Sequence, residues 1–207
     1  MTIQSEQNLE NNLIKQLSGL GYDRVVISDE SALLANLKAQ IEKHNQLSLT
    51  DTEFHKILNH LNKGNIFDRA KTLRDKFQLT LDNGDSKYIE FINQEHWCQN
   101  QYQVTNQVTL EGSYKNRYDV TLLINGIPMV QIELKRRGLE MKEAFNQINR
   151  YQRHSFWSAY GLFNYVQLFV ISNGMNTKYY ANNKKTSYKQ TFYWSDAHNN
   201  RVSGLKE

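Results

Sequence analysis

The sequence predicts an α/β (α+β) domain in which helices flank a central mixed β-sheet. Three observations carry that prediction. Apolar residues recur at helical spacing through the first 80 positions. After Asp82-Asn83-Gly84-Asp85 the chain changes to short runs rich in β-branched and aromatic residues, each bounded by turn residues. One further helical stripe, 142–154, falls between two of those runs. Helices laid on the faces of a sheet are the simplest layered way to bury both patterns.

Leu9, Leu13, Ile14, Leu17 and Leu20 share one side of a first helix, which Gly19 and Gly21 stop. Residues 22–27 read as a short strand. Ser31 is placed to cap a second helix carrying Leu33, Leu34, Leu37 and Ile41. Thr50 is placed to cap a third, with Phe54, Ile57, Leu58 and Leu61 as its buried stripe. A short helix is expected near 70–77. Strands are expected at 88–92, 102–110, 119–124 and 129–134, with Asn125-Gly126 as a hairpin turn between the last two. The helix 142–154 presents Ala144, Phe145, Ile148 and Tyr151. A strand at 165–172, the turn Asn173-Gly174 and a closing strand at 178–181 complete the sheet. The 207 residues are expected to form a single domain. About 1–80 is mainly helical, 86–182 sheet-rich, and 183–207 a polar, loosely ordered tail.

Composition narrows the class. With 39% hydrophobic and 22% charged residues, a packed core is affordable and wholesale disorder is not expected. No apolar run approaches the ~18 residues of a membrane helix. Residues 1–10 lack a signal-peptide core, and the single cysteine, Cys98, fits a reducing compartment. A cytoplasmic location with no membrane partner is expected. Net charge is +4. The cations cluster: Arg117, Lys135, Arg136, Arg137, Lys142, Arg150 and Arg153 form one group, and Lys178, Lys184, Lys185 and Lys189 another. Either set suits a solvated face or a phosphate-bearing partner.

The chemistry concentrates in Val130-Gln131-Ile132-Glu133-Leu134-Lys135. Alternation on a strand sends Val130, Ile132 and Leu134 one way and Gln131, Glu133 and Lys135 the other. A carboxylate and an ammonium thus stand side by side. Asp119, on the preceding strand, joins them only in one register. A two-residue turn at Asn125-Gly126 would pair Asp119 with Ile132 and separate the acids. A three-residue loop, or a bulge with the same effect, would pair Asp119 with Glu133. In that register Asp119 and Glu133 make a hard-oxygen site for Mg²⁺, with Mn²⁺ equally suitable. Such a metal activates water and offsets charge on a phosphoryl group. Lys135 would assist the attacking water. Asp85-Ser86-Lys87 repeats the acid-x-Lys spacing, but it follows a turn outside any apolar strand and reads as solvated.

Neighbouring residues sharpen this. Asn116-Arg117-Tyr118-Asp119-Val120-Thr121, Asn125-Gly126-Ile127-Pro128 and Gln131-Ile132-Glu133-Leu134-Lys135 closely resemble the nuclease domain of the type I restriction enzyme R subunit (HsdR), type IC subgroup. The similarity runs on through Glu143–Tyr151 and Leu168–Gly174, and the start from Leu9 to Tyr22 also fits. The family belongs to the PD-(D/E)xK nucleases, so the resemblance implies a restriction-endonuclease-like core. It implies that Asp119, Glu133 and Lys135 are catalytic, with Asp119 and Glu133 holding the metal. It implies a Gln-x-x-x-Tyr element in Gln147 and Tyr151, which at i and i+4 share a helix face. Arg150, with Arg117, Arg136 and Arg137, would contact phosphates of double-stranded DNA. Glu10, or its rival Glu6, would be an additional acid on the first helix. Tyr118 stands where the superfamily pattern has proline. The resemblance further implies modification (HsdM) and specificity (HsdS) subunits as partners. A helicase-like motor would follow in a longer subunit of which this chain is a fragment. No G-x-x-x-x-G-K-[ST] loop occurs, so ATP would bind only in that motor.

Two other readings stay open. One is a non-catalytic DNA-binding or subunit-docking module on a nuclease fold. The other is an RNA-binding β domain, which requires Tyr102, Tyr114 and Tyr118 to be exposed on a sheet face. The scattered histidines His44, His55, His60, His96, His154 and His198 lack zinc spacing. Trp97, Phe156 and Trp157 are expected as core anchors.

Overall fold

The computed structural model describes residues 5–202. The N-terminal third is helical because its caps and apolar stripes agree. Helix α1 (Glu6–Gly19) starts at Ser5, whose side chain accepts from the Asn8 N–H. After the two-residue strand β1 (Asp23–Arg24) comes α2 (Glu30–Asn45). Its cap is Asp29, not Ser31: the Asp29 carboxylate accepts from the Ala32 N–H at 2.9 Å, and a carboxylate at that position also favours the helix dipole. Helix α3 (Asp51–Leu61) opens with the expected Thr50, in a reciprocal capping box with Glu53. Helix α4 lies earlier than expected, at Ile66–Thr72, because Asn65 and Asp68 form a capping box of their own. Phe77 then begins a strand instead of ending a helix.

That strand, β2 (Phe77–Thr80), pairs with β3 (Ser86–Ile89) in a separate two-stranded hairpin. The main sheet comprises β1 with β4 (Tyr102–Glu111), β5 (Lys115–Ile124), β6 (Ile127–Leu134), β7 (Leu168–Ser172), β8 (Thr177–Ala181) and β9 (Phe192–Tyr193). They run in the order β1-β4-β5-β6-β7-β8-β9. The β1–β4 and β6–β7 pairs are parallel and the others antiparallel, so the sheet is mixed. Between the parallel strands β6 and β7 the chain crosses over through α5 (Met141–His154). The polar segment after residue 183 supplies the edge strand β9. It is held by Lys178, whose buried ammonium donates to Thr191 Oγ1 and lies over the rings of Tyr188 and Tyr193.

Two apolar layers sandwich the sheet. Leu9 and Ile14 of α1 cover Val104, Val120, Ile132, Leu134 and Val170. On the other face, α2, α3 and α5 bury Leu37, Ile57, Ile148 and Tyr151 with Val108, Leu110 and Tyr118. Tyr118 is fully enclosed by Tyr151, Phe156 and Phe163, and its hydroxyl shares a 2.6 Å hydrogen bond with Ser155. Phe156 is therefore the core anchor expected, whereas Trp97 and Trp157 are 58% and 55% exposed. With Tyr118 buried and Tyr102 packed on Tyr22, the three tyrosines form no exposed row.

Candidate active site

Register decides whether the acids meet. The β5–β6 turn is the two-residue kind: Ile124 pairs with Ile127, and Asn125 and Gly126 both have positive φ, as a type I′ turn requires. Left regular, that turn would place Asp119 opposite Ile132. Instead the register shifts between Leu122 and Leu123, so that Leu122 pairs with Val130 and Leu123 with Pro128. Met129 is the extra residue. From there the pairing runs to Val120 opposite Ile132, which brings Asp119 level with Glu133. A two-residue turn and a bulge together produce the register that either a longer loop or a bulge was expected to give. Pro128, which has no N–H to offer the ladder, sits at the irregularity.

Beyond that rung the strands fork. The Leu134 N–H donates to the Asp119 carboxylate at 2.8 Å, not to a β5 carbonyl. On the far side of β6, pairing to β7 continues, with the Lys135 N–H on the Ser172 carbonyl. Glu133, fully buried, accepts from the Lys135 ammonium at 3.1 Å through Oε1. The Tyr151 hydroxyl stands 3.5 Å from the same oxygen, donates to the Arg117 carbonyl at 2.8 Å, and accepts from the Gln147 amide. The structure therefore brings Gln147 and Tyr151 of α5 to the three strand residues. Gln131 faces the same side but is core: its amide oxygen accepts from Thr121 at 2.8 Å.

Burial dominates the electrostatics. It pushes the Asp119 carboxyl up to about 6, against the pull of the Leu134 N–H and of Lys135; the nearby charges of Glu10 and Glu6 raise it further. Burial, then the charge of Asp119, holds Glu133 well above the ordinary carboxylate range, with Lys135 opposing both. The second Glu133 oxygen, Oε2, is buried without a hydrogen-bond partner among the described residues. Such a group is costly unless something pairs with it. The donors on offer are hard oxygens, and two carboxylates disfavoured as anions are what a divalent cation stabilises. The residues present therefore fit such an ion, Asp119 and Glu133 being the groups that would hold it. Among the described residues no third His, Cys, Asp or Glu completes a cluster with them.

The first helix adds acids from the opposite layer. Glu10 is buried without a cationic partner among the described residues and takes hydrogen bonds from Asn106 at 3.2 Å and Gln107 at 2.7 Å. Glu6, half-buried, accepts from the Arg136 N–H at 3.0 Å. Both lie close enough to Asp119 to act on its charge. Arg117, Arg136, Arg137 and Arg150 are exposed, and none forms an ion pair among the described residues. Asp85-Ser86-Lys87 is exposed, but Ser86 and Lys87 belong to β3 rather than to a turn. Residues unremarked in the sequence are Asn106 and Gln107, and Tyr180. Tyr180 has a buried hydroxyl that also lacks a partner among the described residues, and its ionisation is opposed by burial and by Glu133. No pattern in the sequence marks them, since their partners lie on other elements.

A family described as "Type I restriction enzyme R protein N terminus" matches residues 3–188. The chain is 48% identical, over its whole length, to the type I restriction enzyme SsaAORF53P endonuclease subunit of Staphylococcus saprophyticus, of which it spans 23%. It is 37% identical over 99% of its length to the type I restriction enzyme EcoprrI endonuclease subunit of Escherichia coli, covering 68% of that chain. Over 69% of its length it is 33% identical to a putative type I restriction enzyme MjaVIIIP endonuclease subunit of Methanocaldococcus jannaschii, spanning 14% of it. The chain thus spans about a quarter of the length of its staphylococcal relatives.

Proposed function

The chain belongs to the family of type I restriction enzyme R protein N-terminal domains, and from that premise we propose that it is a Mg²⁺-dependent endonuclease domain. It would hydrolyse phosphodiester bonds of double-stranded DNA as part of a type I site-specific deoxyribonuclease. The observation that carries the reading is Glu133 Oε2, buried beside Asp119 without a partner among the described residues, while Lys135 holds the other oxygen.

Asp119 and Glu133 would hold Mg²⁺ or Mn²⁺, which when bound acidifies water and offsets charge on the phosphoryl oxygens. The Leu134 N–H fixes the Asp119 carboxylate, leaving its other oxygen for that ion. Lys135 sits where it can orient the attacking water and offset developing negative charge. Gln147 and Tyr151 brace the Glu133 side of the site through the Arg117 carbonyl. The exposed Arg117, Arg136, Arg137 and Arg150 would meet phosphates, which position DNA without reading its sequence. Recognition would then fall to a specificity subunit and methylation to a modification subunit. ATP-driven movement would fall to a motor region that this chain does not contain. Among the described residues no helix is long and apolar enough to cross a membrane.

The test is cleavage of supercoiled plasmid by the reconstituted enzyme with ATP and Mg²⁺, comparing wild type with Asp119→Ala and Lys135→Ala. Loss of cleavage by both, with DNA binding kept, is expected. Undiminished cleavage by both would make this a docking module and place the chemistry elsewhere.

A further inference from the structure

Gln107 has a backbone conformation foreign to a strand. It lies mid-way along β4 with φ of 59°, in the left-handed region that a glutamine rarely adopts. The β4–β5 ladder pairs Asn106 with Val120 and Val108 with Tyr118, but the rung between them, Gln107 opposite Asp119, is missing. Side-chain facing reverses there on β5: Val120 packs under α1, whereas Tyr118, of the same parity, packs in the opposite layer. The same reversal separates Val104 from Val108 on β4. One left-handed residue thus turns both strands at the point where Asp119 leaves the ladder. Strain of this kind persists only where the surroundings over-determine it. Here the Gln107 amide nitrogen sits 2.7 Å from each oxygen of Glu10.

We propose that Gln107 is a positioning residue of this site, acting through Glu10: its left-handed backbone turns its amide onto that buried carboxylate and holds it at the rung where β4 parts from Asp119. The inference rests on the metal-site reading above. Glu10 has no cationic partner among the described residues, so amide donors from Gln107 and Asn106 are what satisfy that buried carboxylate. Glu10 and Glu6 both act on Asp119 through their charge, and added negative charge strengthens attraction for a divalent cation, because affinity at hard-oxygen sites rises with ligand charge. Glu10 need not touch the ion to do so.

The experiment measures Mn²⁺ binding to the 207-residue chain by electron paramagnetic resonance, alongside thermal unfolding in EDTA. The proteins are wild type, Gln107→Gly, Gln107→Asn, Glu10→Gln, the Glu10→Gln/Gln107→Gly double variant and Asp119→Asn. Glycine accepts the left-handed backbone without strain, and asparagine tolerates it while its shorter amide cannot span the same distance. Leaving Glu10 short of a donor should make both variants unfold in EDTA somewhat earlier than wild type, so Mn²⁺ binding is compared at a temperature where every protein is folded and a loss of fold does not mimic the effect. Gln107→Gly should weaken Mn²⁺ binding about 5- to 10-fold, equivalent to about 1–1.4 kcal/mol. Glu10→Gln should do the same, and the double variant should be no worse than either single one, the signature of one shared pathway. Wild-type Mn²⁺ affinity in Gln107→Gly, or a double variant whose losses add, would overturn the proposal. Asp119→Asn separates the two levels. If it abolishes Mn²⁺ binding while Gln107→Gly does nothing, only the role of Gln107 fails. If Asp119→Asn also binds normally, or wild type does not bind Mn²⁺, the metal site itself fails and this inference goes with it.

Discussion

Two hairpins of this chain carry nearly the same short sequence signals and do opposite things. In one, Asn83-Gly84 turns β2 into β3 and is followed by Asp85-Ser86-Lys87. In the other, Asn125-Gly126 turns β5 into β6 and is followed by Glu133-Leu134-Lys135. The first ladder is regular and mostly exposed, with Leu79 and Ile89 anchoring it. The Asn83 side chain bonds to Asp85, two residues away. The second is bulged, forked at its end and buried on both faces. Its Asn125 side chain bonds to the Phe91 carbonyl, the Asn100 side chain and the Gln101 N–H. An acid-x-Lys triplet becomes a candidate site only where burial makes its charges costly and a neighbouring strand delivers another acid.

The largest effects should separate the two triplets in cleavage. Lys135→Ala should cost about 10²–10³-fold or more in rate, the scale for removing one preorganised electrostatic contact, and Asp119→Ala at least as much. Asp85→Ala and Lys87→Ala should leave plasmid cleavage within about twofold of wild type, as exposed residues away from such contacts do. A strong loss from either hairpin substitution would end the distinction.

The turns provide the next contrast, in stability. A methyl on Gly126 would sit 2.9 Å from the Leu37 Cα on a backbone of φ 81°. Gly126→Ala should therefore destabilise by about 2–5 kcal/mol, from left-handed strain plus overpacking. Gly84 has φ 91° but open space around it, so Gly84→Ala should cost only the strain, about 1–2 kcal/mol. Urea unfolding of the two variants measures the difference, and equal losses would show that the β5–β6 turn is not clamped against α2.

Much of this contrast was legible in the residues. The helical stripes, the Thr50 cap, the hairpin at Asn125-Gly126 and the apolar flanks of Glu133 are local patterns, and each forms where its pattern lies. The bulge was half-legible: Pro128 within a strand marks an irregular ladder, but which residue is extra depends on packing against other elements. Asn65 with Asp68 was a readable capping box that places α4 ahead of 70–77. Trp157 and Phe156 are adjacent and equally apolar in sequence, yet one is exposed and the other core, because only the fold decides which points toward Tyr118. Gln107 gave no signal, since its left-handed conformation and its contact with Glu10 join residues 97 positions apart in the chain.

The fork's buried charge sharpens the comparison further. In metal-free protein, Glu133→Gln removes a buried carboxylate that burial and Asp119 both disfavour, at the loss of its ion pair with Lys135, and should raise Tm above the wild-type value. The same substitution should remove the stabilisation that Mg²⁺ gives wild type. Asp85→Asn should do neither. Calorimetry with EDTA and then with Mg²⁺ distinguishes these, and a lower Tm for metal-free Glu133→Gln would mean that its pairing with Lys135 outweighs burial.

The smallest expected effect is a pH dependence assigned to Asp119. Its folded carboxyl titrates near 6, above an unfolded value of about 3.9. Between those values the folded state binds more protons than the unfolded one, so this group's contribution to metal-free stability falls as pH rises. Below about 4 both states are protonated and the advantage is complete; above about 6 it is lost. In EDTA, wild type should therefore lose stability relative to Asp119→Asn across pH 4–6, by about a few degrees in Tm at most. Saturating Mg²⁺ at pH 7 should reverse the order, because the ion stabilises the ionised carboxylate that only wild type has. A difference curve flat across pH 4–6 would show that the Leu134 N–H and Lys135 already satisfy Asp119, and the fork would then resemble the exposed hairpin in this one respect.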